Sequence, residues 1–101
     1  MKFGLKNEVI TKINLVFESY SQVEQVIIYG SRAQGNFKNG SDIDLTLIGT
    51  KLNSTILSNI NEDVDNLDTP YMFDISIFHK LNSPSLEEHI TRIGQVFYKK
   101  A

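Results

Sequence analysis

With 101 residues, 41% of them hydrophobic and 22% charged, the chain has the makings of one soluble globular domain spanning 1–101. It has no cysteine, which excludes disulfides and thiolate metal sites. The formal net charge is -2 and the cations are scattered, Lys99-Lys100 being the only adjacent pair. That pattern excludes extended electrostatic binding to nucleic acid, which needs clustered cations. No apolar run approaches the roughly 20 residues of a membrane span. Met1 to Glu8 lacks a signal-peptide core. These features predict a cytoplasmic protein with no membrane contact.

In chain order, Val9, Ile10, Ile13, Val16, Phe17 and Tyr20 recur at three- and four-residue steps, predicting a helix over Glu8–Tyr20. Val23 to Tyr29 is short, β-branched and almost continuously apolar, as an interior strand covered on both faces would be. Gly30 permits a tight turn or a close approach of backbone to a ligand. Ser31 to Gln34 is long enough for a short helix, and the polar stretch Asn36 to Ser41 is a loop bracketed by Gly35 and Gly40. Asp42 to Ile48 reads as a second strand. Leu52, Ile56, Ile60, Val64 and Leu67 form another helical stripe, and Tyr71 to His79 a third strand. Ser83 and Pro84 then open a helix as N-cap and first residue; Ser85 with Glu88 is an alternative capping box. Gly94 ends that helix, and Val96 to Tyr98 adds a short edge strand. The order predicts an α/β (α+β) architecture with helices packed on a small sheet.

The chemistry-bearing residues cluster around the first two strands. Asp42 and Asp44 are two apart, which in a strand puts both side chains on one face, with Cα atoms roughly 6.5 Å apart. Such carboxylates repel unless a cation lies between them. Hard oxygen ligands beside a phosphate favour Mg²⁺. Asp74 stands in an otherwise apolar strand, where an ionised carboxylate is costly unless paired or metal-bound. A third strand beside the second would let Asp74 complete a three-carboxylate, two-metal site for phosphoryl transfer. The Gly30-Ser31 turn supplies backbone N–H groups and a hydroxyl for the terminal phosphates of a nucleotide, and Arg32 adds a charge-assisted contact. Each feature alone has a plainer reading: a turn, a loop acid, a surface acid or a solvated arginine. His79 and His89 lack any zinc-type spacing partner, and the tyrosines read as core and rim packing.

Taken together, Gly30-Ser31, ten intervening residues, Asp42-x-Asp44 and a later strand carboxylate resemble the signature of the DNA polymerase β-like nucleotidyltransferase superfamily. The size resembles the minimal nucleotidyltransferases that act as antitoxins beside a helical HEPN-type protein. The resemblance covers the chain from the first helix to Gly94-x-x-Phe97-Tyr98. It implies a small mixed sheet, with Ser31 as the phosphate-binding serine and Asp42, Asp44 and Asp74 as metal-binding catalytic carboxylates. It further implies Mg²⁺, two ions, and ATP or another NTP as substrate. The expected reaction moves AMP to an acceptor hydroxyl on a HEPN-type partner. Neutralising that partner by binding alone, or transfer to a small molecule, are the alternatives; a homo-oligomer is also open. The chain departs from many minimal members in carrying Gln34 where they carry arginine.

Overall fold

The computed structural model describes residues 1–101. It runs α1 (Asn7–Glu18), β1 (Gln25–Tyr29), α2 (Ser31–Gln34), β2 (Ile43–Ile48), α3 (Ser54–Asp65), β3 (Phe73–Ile77), a 3₁₀ turn (Phe78–Lys80), α4 (Pro84–Ile93) and β4 (Gln95–Lys99). The sheet order is β3-β2-β1-β4. β1 lies antiparallel to β2 and to β4, whereas β2 and β3 are parallel. A parallel pair needs a long crossover, and α3 provides it. The expected α/β architecture is present, and the sheet is mixed.

Alternation in the strands decides the two faces. Ile43, Leu45 and Leu47 of β2, Val26 and Ile28 of β1, and Ile75 and Ile77 of β3 enter one core with Ile13 and Phe17 of α1 and Ile60 and Val64 of α3. Phe17 meets Phe97 edge-on at 6.5 Å. Emptying the Phe17 position would cost about 3–5 kcal/mol, so this face carries most of the packing energy. The intervening residues, Tyr29, Asp44, Thr46, Asp74 and Ser76, belong to the opposite face. There α4 buries Ile90 and ends at Gly94. A Cβ on Gly94 would collide with the Ile90 carbonyl and the Ile27 side chain, so glycine sets how closely α4 meets β1.

Local signals set the element ends. The Asn53 side chain accepts from Ile56 N–H at 2.9 Å and caps α3. Ser83, with Pro84 following, caps α4 through Leu86 N–H at 3.4 Å, which selects the first of the two expected starts. Several expected elements are shorter in the structure. The first strand starts at Gln25 rather than Val23, and the second at Ile43, leaving Asp42 just outside the ladder. The third ends at Ile77, because the chain tightens into the 3₁₀ turn. Lys99 is paired in β4, and Lys100 Nζ donates to the Ser21 carbonyl at 3.1 Å, so both residues of this basic pair are held. At the other end a tight turn bridges Lys2 to Leu5 and buries Leu5 completely. No helix is long and apolar enough to cross a membrane.

Beyond α1, the Tyr20 hydroxyl donates to Asp63 Oδ2 and ties this corner to α3. That bond, then burial and the Asp63 and Glu62 charges, push the phenol up from 10.0 to about 12. The fold therefore favours neutral Tyr20. Its contribution is complete below pH 10 and is lost as pH rises through about 12. Tyr20→Phe should lower stability by roughly 0.5–1.5 kcal/mol at neutral pH. Urea melts of both proteins from pH 7 to pH 11 should show that difference shrinking at the alkaline end.

Candidate active site

The site grows from the hairpin formed by β1 and β2. Tyr29 is the cross-strand partner of Asp44, so the last residue of β1 and the start of β2 meet at one end of the sheet. Directly after Tyr29 the backbone turns at Gly30, with φ 74° and ψ -156°, a region closed to L side chains. The glycine is needed for a second reason. A Cβ there would overlap the carboxylate oxygen Oδ2 of Asp44. The close approach expected of Gly30 is thus made to a carboxylate of the site itself. Ser31 follows at the start of α2, a single turn closed by Gln34 N–H to the Gly30 carbonyl at 3.2 Å and Gly35 N–H to the Ser31 carbonyl at 2.9 Å. The Gln95 side chain braces that turn from β4, its Nε2 donating to the Ala33 carbonyl at 2.6 Å.

β3 lies beside β2 with Asp74 in register with Asp44. Neighbouring strands are about 4.8 Å apart, so these two carboxylates share one rung. Asp42 precedes the strand by one residue. Asp42 and Asp74 are exposed, and Asp44 is half-buried. Burial first, then the charges of Asp74 and Asp42, push the Asp44 carboxyl up. The desolvation cost expected at Asp74 therefore falls on Asp44, because β2 is interior and β3 is at the edge. No three acidic or histidine side chains converge closely enough to form a ready-made metal cage. The donor set nevertheless suits a hard divalent cation: carboxylate oxygens only, with a deficit of positive charge at Asp44.

Behind this rung is a second polar one. Ser76 pairs with Thr46, and its Oγ donates to Thr46 Oγ1 at 3.1 Å. Thr46 is fully buried. Tyr29, also buried, belongs to the same face. Burial pushes its phenol up, the Ser76 hydrogen bond opposes this, and the Asp74 and Asp44 charges add to the rise. Sequence reasoning assigned Tyr29 to packing; its adjacency to Gly30 was the available signal that it borders the site. His79 is exposed and lies near Ile48 and Thr50, at the other end of the strands.

Arg32 is not the solvated arginine of the plainer sequence reading. It is 3% exposed, and its Nε and Nη1 donate to the Ser41 and Phe3 carbonyls at 3.0 and 2.9 Å. It is a buried residue and not a solvated loop one. The carboxylates occupy an open face rather than a cavity. The largest cavity, about 540 Å³, lies at the other end of the strands between Ser21, Glu24, Thr50, Lys51 and Lys99, and includes none of the candidate residues.

Comparison with known proteins agrees with this fold. No curated protein matches the chain. Among solved structures it is similar to a toxin–antitoxin with AMP-PNP, at 18% identity and TM-score 0.69, covering 95% of this chain and 75% of that one. It is also similar to a mutant of the toxin–antitoxin MntA–HpeT, at 15% identity and TM-score 0.66, with the same coverage. A third is the tri-AMPylated Shewanella oneidensis HEPN toxin in complex with MNT antitoxin, at 14% identity and TM-score 0.67, covering 95% and 74%. At such identities these likenesses speak for the fold. The family model for the polymerase beta nucleotidyltransferase domain matches residues 11–101, which takes in every candidate site residue, and the chain belongs to that family.

Proposed function

We propose that the protein is a metal-dependent nucleotidyltransferase that moves AMP from ATP to a hydroxyl on a helical, HEPN-type partner. The observation that carries this reading is the Asp44–Asp74 rung beside the Gly30-Ser31 turn. A solved neighbour that contains AMP-PNP and another whose HEPN toxin is AMPylated support it. The Ser31 hydroxyl and the N–H groups at the turn hold the β- and γ-phosphates. Asp42, Asp44 and Asp74 would hold Mg²⁺, which when bound neutralises carboxylates and phosphates together and polarises the reacting phosphoryl group. The acceptor oxygen attacks the α-phosphorus, the bond to the bridging oxygen breaks, and pyrophosphate leaves with its electron pair. Asp74, exposed at the sheet edge, takes the hydroxyl proton in this reading. The open face leaves the acceptor side to be walled by another molecule. An interface of standard size, roughly 1,600 Å², would do so. Incubation with labelled ATP, Mg²⁺ and the helical partner tests the reading. Label on the partner supports transfer, and a tight complex without label supports neutralisation by binding alone.

Two substitutions probe the carboxylates separately. The raised Asp44 carboxyl means that the metal-free fold favours its neutral form. The stability linked to that form is complete below the ordinary carboxylate value and is lost as pH rises through the raised one. Asp44→Asn should therefore raise the melting temperature at pH 7 without metal, and the gain should vanish toward pH 3. Calorimetric titration should show MgATP binding lost in the same variant. Asp74→Asn should bind MgATP within about tenfold of wild type, roughly 1.4 kcal/mol. Its single-turnover transfer should fall by a factor on the order of 10² to 10⁴. Near-normal transfer would remove Asp74 from the chemistry.

A further inference from the structure

Arg32 is buried, yet it has no acidic partner; the chain's one salt bridge is Arg92 with Glu88, far from it in sequence and exposed. A buried guanidinium is costly unless its donors and faces are satisfied. Here they are met by four residues from three separate segments. Nε donates to the Ser41 carbonyl at 3.0 Å and Nη1 to the Phe3 carbonyl at 2.9 Å. The ring of Phe37 lies 5.1 Å from the guanidinium carbon and that of Tyr71 lies 5.0 Å from it, both within cation–π range. Only Nη2 makes no hydrogen bond within the chain.

Two of these contacts, those of Ser41 and Tyr71, lead to the site. Ser41 directly precedes Asp42, and its own N–H and hydroxyl close the loop onto Lys38. Tyr71 precedes Met72, whose carbonyl accepts from Ile43 N–H at 2.9 Å, the residue between Asp42 and Asp44. Tyr71 also begins the run into β3 and Asp74. Arg32 itself follows Ser31. The N-terminal turn is shaped around the same group. Gly4 has φ 71°, and a Cβ there would overlap the Phe37 ring and come within 3.0 Å of Nη1.

We propose that Arg32 is a positioning residue: its guanidinium clamps the Ser31 turn, the loop ahead of Asp42 and the lead into β3 in one arrangement, and it is not a phosphate ligand. The proposal rests on the nucleotidyl-transfer reading of the site for its purpose. A planar fork with two usable faces makes all four contacts at once; an ammonium of equal charge does not. Charge alone should therefore not rescue its loss.

The test compares Arg32→Lys and Arg32→Met with wild type, with Ser31→Ala, and with the remote core variant Val64→Ala as a stability-matched control. All are measured below their melting temperatures. Affinities for ATP and AMP in the presence of Mn²⁺ are determined by calorimetry, and amide hydrogen exchange at Ser41 and Ile43 without ligand. Both Arg32 variants should bind Mn²⁺–ATP 10–100-fold more weakly, the range for losing a supporting contact behind a metal site. Their preference for ATP over AMP should stay at the wild-type value, and exchange at Ser41 and Ile43 should quicken more than in Val64→Ala. Rescue by lysine, or an ATP-over-AMP preference that collapses as in Ser31→Ala, would make Arg32 a phosphate ligand and overturn the proposal. Unchanged binding in the folded variants would reduce it to packing. Should wild type bind no nucleotide, the functional reading fails on its own. The clamp is then decided by exchange alone, and no acceleration beyond Val64→Ala overturns it. If neither Arg32 variant folds, Tyr71→Leu, which keeps the arginine and removes one ring, should show the same pattern at smaller size, and a wild-type profile there overturns it.

Discussion

Two like charges held on one rung of a sheet set the terms for the rest of the molecule. Asp44 and Asp74 are opposite each other on parallel strands, with Asp42 one step outside the ladder. Nothing in that pairing is favourable by itself; carboxylates at strand spacing repel, and Asp44 is partly desolvated as well. The arrangement persists because the other face of the same strands is fully apolar. Ile43, Leu45 and Leu47 are completely buried on the side away from the carboxylates. Burying an aliphatic side chain is worth about 1.5–3 kcal/mol, so three of them outweigh one repulsive rung. A one-residue slip of β2 would exchange the faces and lose all of that. The hydrophobic pattern thus fixes the register, and the register fixes the chemistry.

How much of this was legible in the sequence depended on whether the signal was local. Apolar residues at helical or strand spacing gave α1, α3 and the strands, because periodicity records which side of an element is buried. Gly30, Ser31, Asp42 and Asp44 were legible as a unit, since one hairpin carries them and their spacing is a matter of chain length. The pairing of Asp74 with Asp44 could only be posed as a condition, since it depends on where α3 returns the chain. The sequence pattern is silent on strand order.

The misreadings have a common cause. Arg32 in a polar stretch reads as solvated, because its partners are two carbonyls and two rings scattered from Phe3 to Tyr71. Backbone carbonyls leave no mark in a sequence. Tyr29 is buried as read, but its closeness to the carboxylates goes unseen, because burial and proximity to a charge are indistinguishable in an apolar run. Leu5 was missed because a turn of four residues has no period to detect. In each case a long-range contact decides the role of a residue whose neighbours in sequence say little.

β3 occupies one edge of the sheet, and its only strand partner is β2. That edge position gives the third carboxylate a peculiar freedom. An edge strand is the cheapest part of a sheet to open, and opening this one separates the charges that repel. Electrostatic strain and edge fraying therefore pull in the same direction in the bare protein. Any cation that binds the closed rung alone must oppose both, tightening the edge in proportion to its occupancy. The order of the outermost strand and the ionic state of the site are, in this fold, one equilibrium seen from two sides.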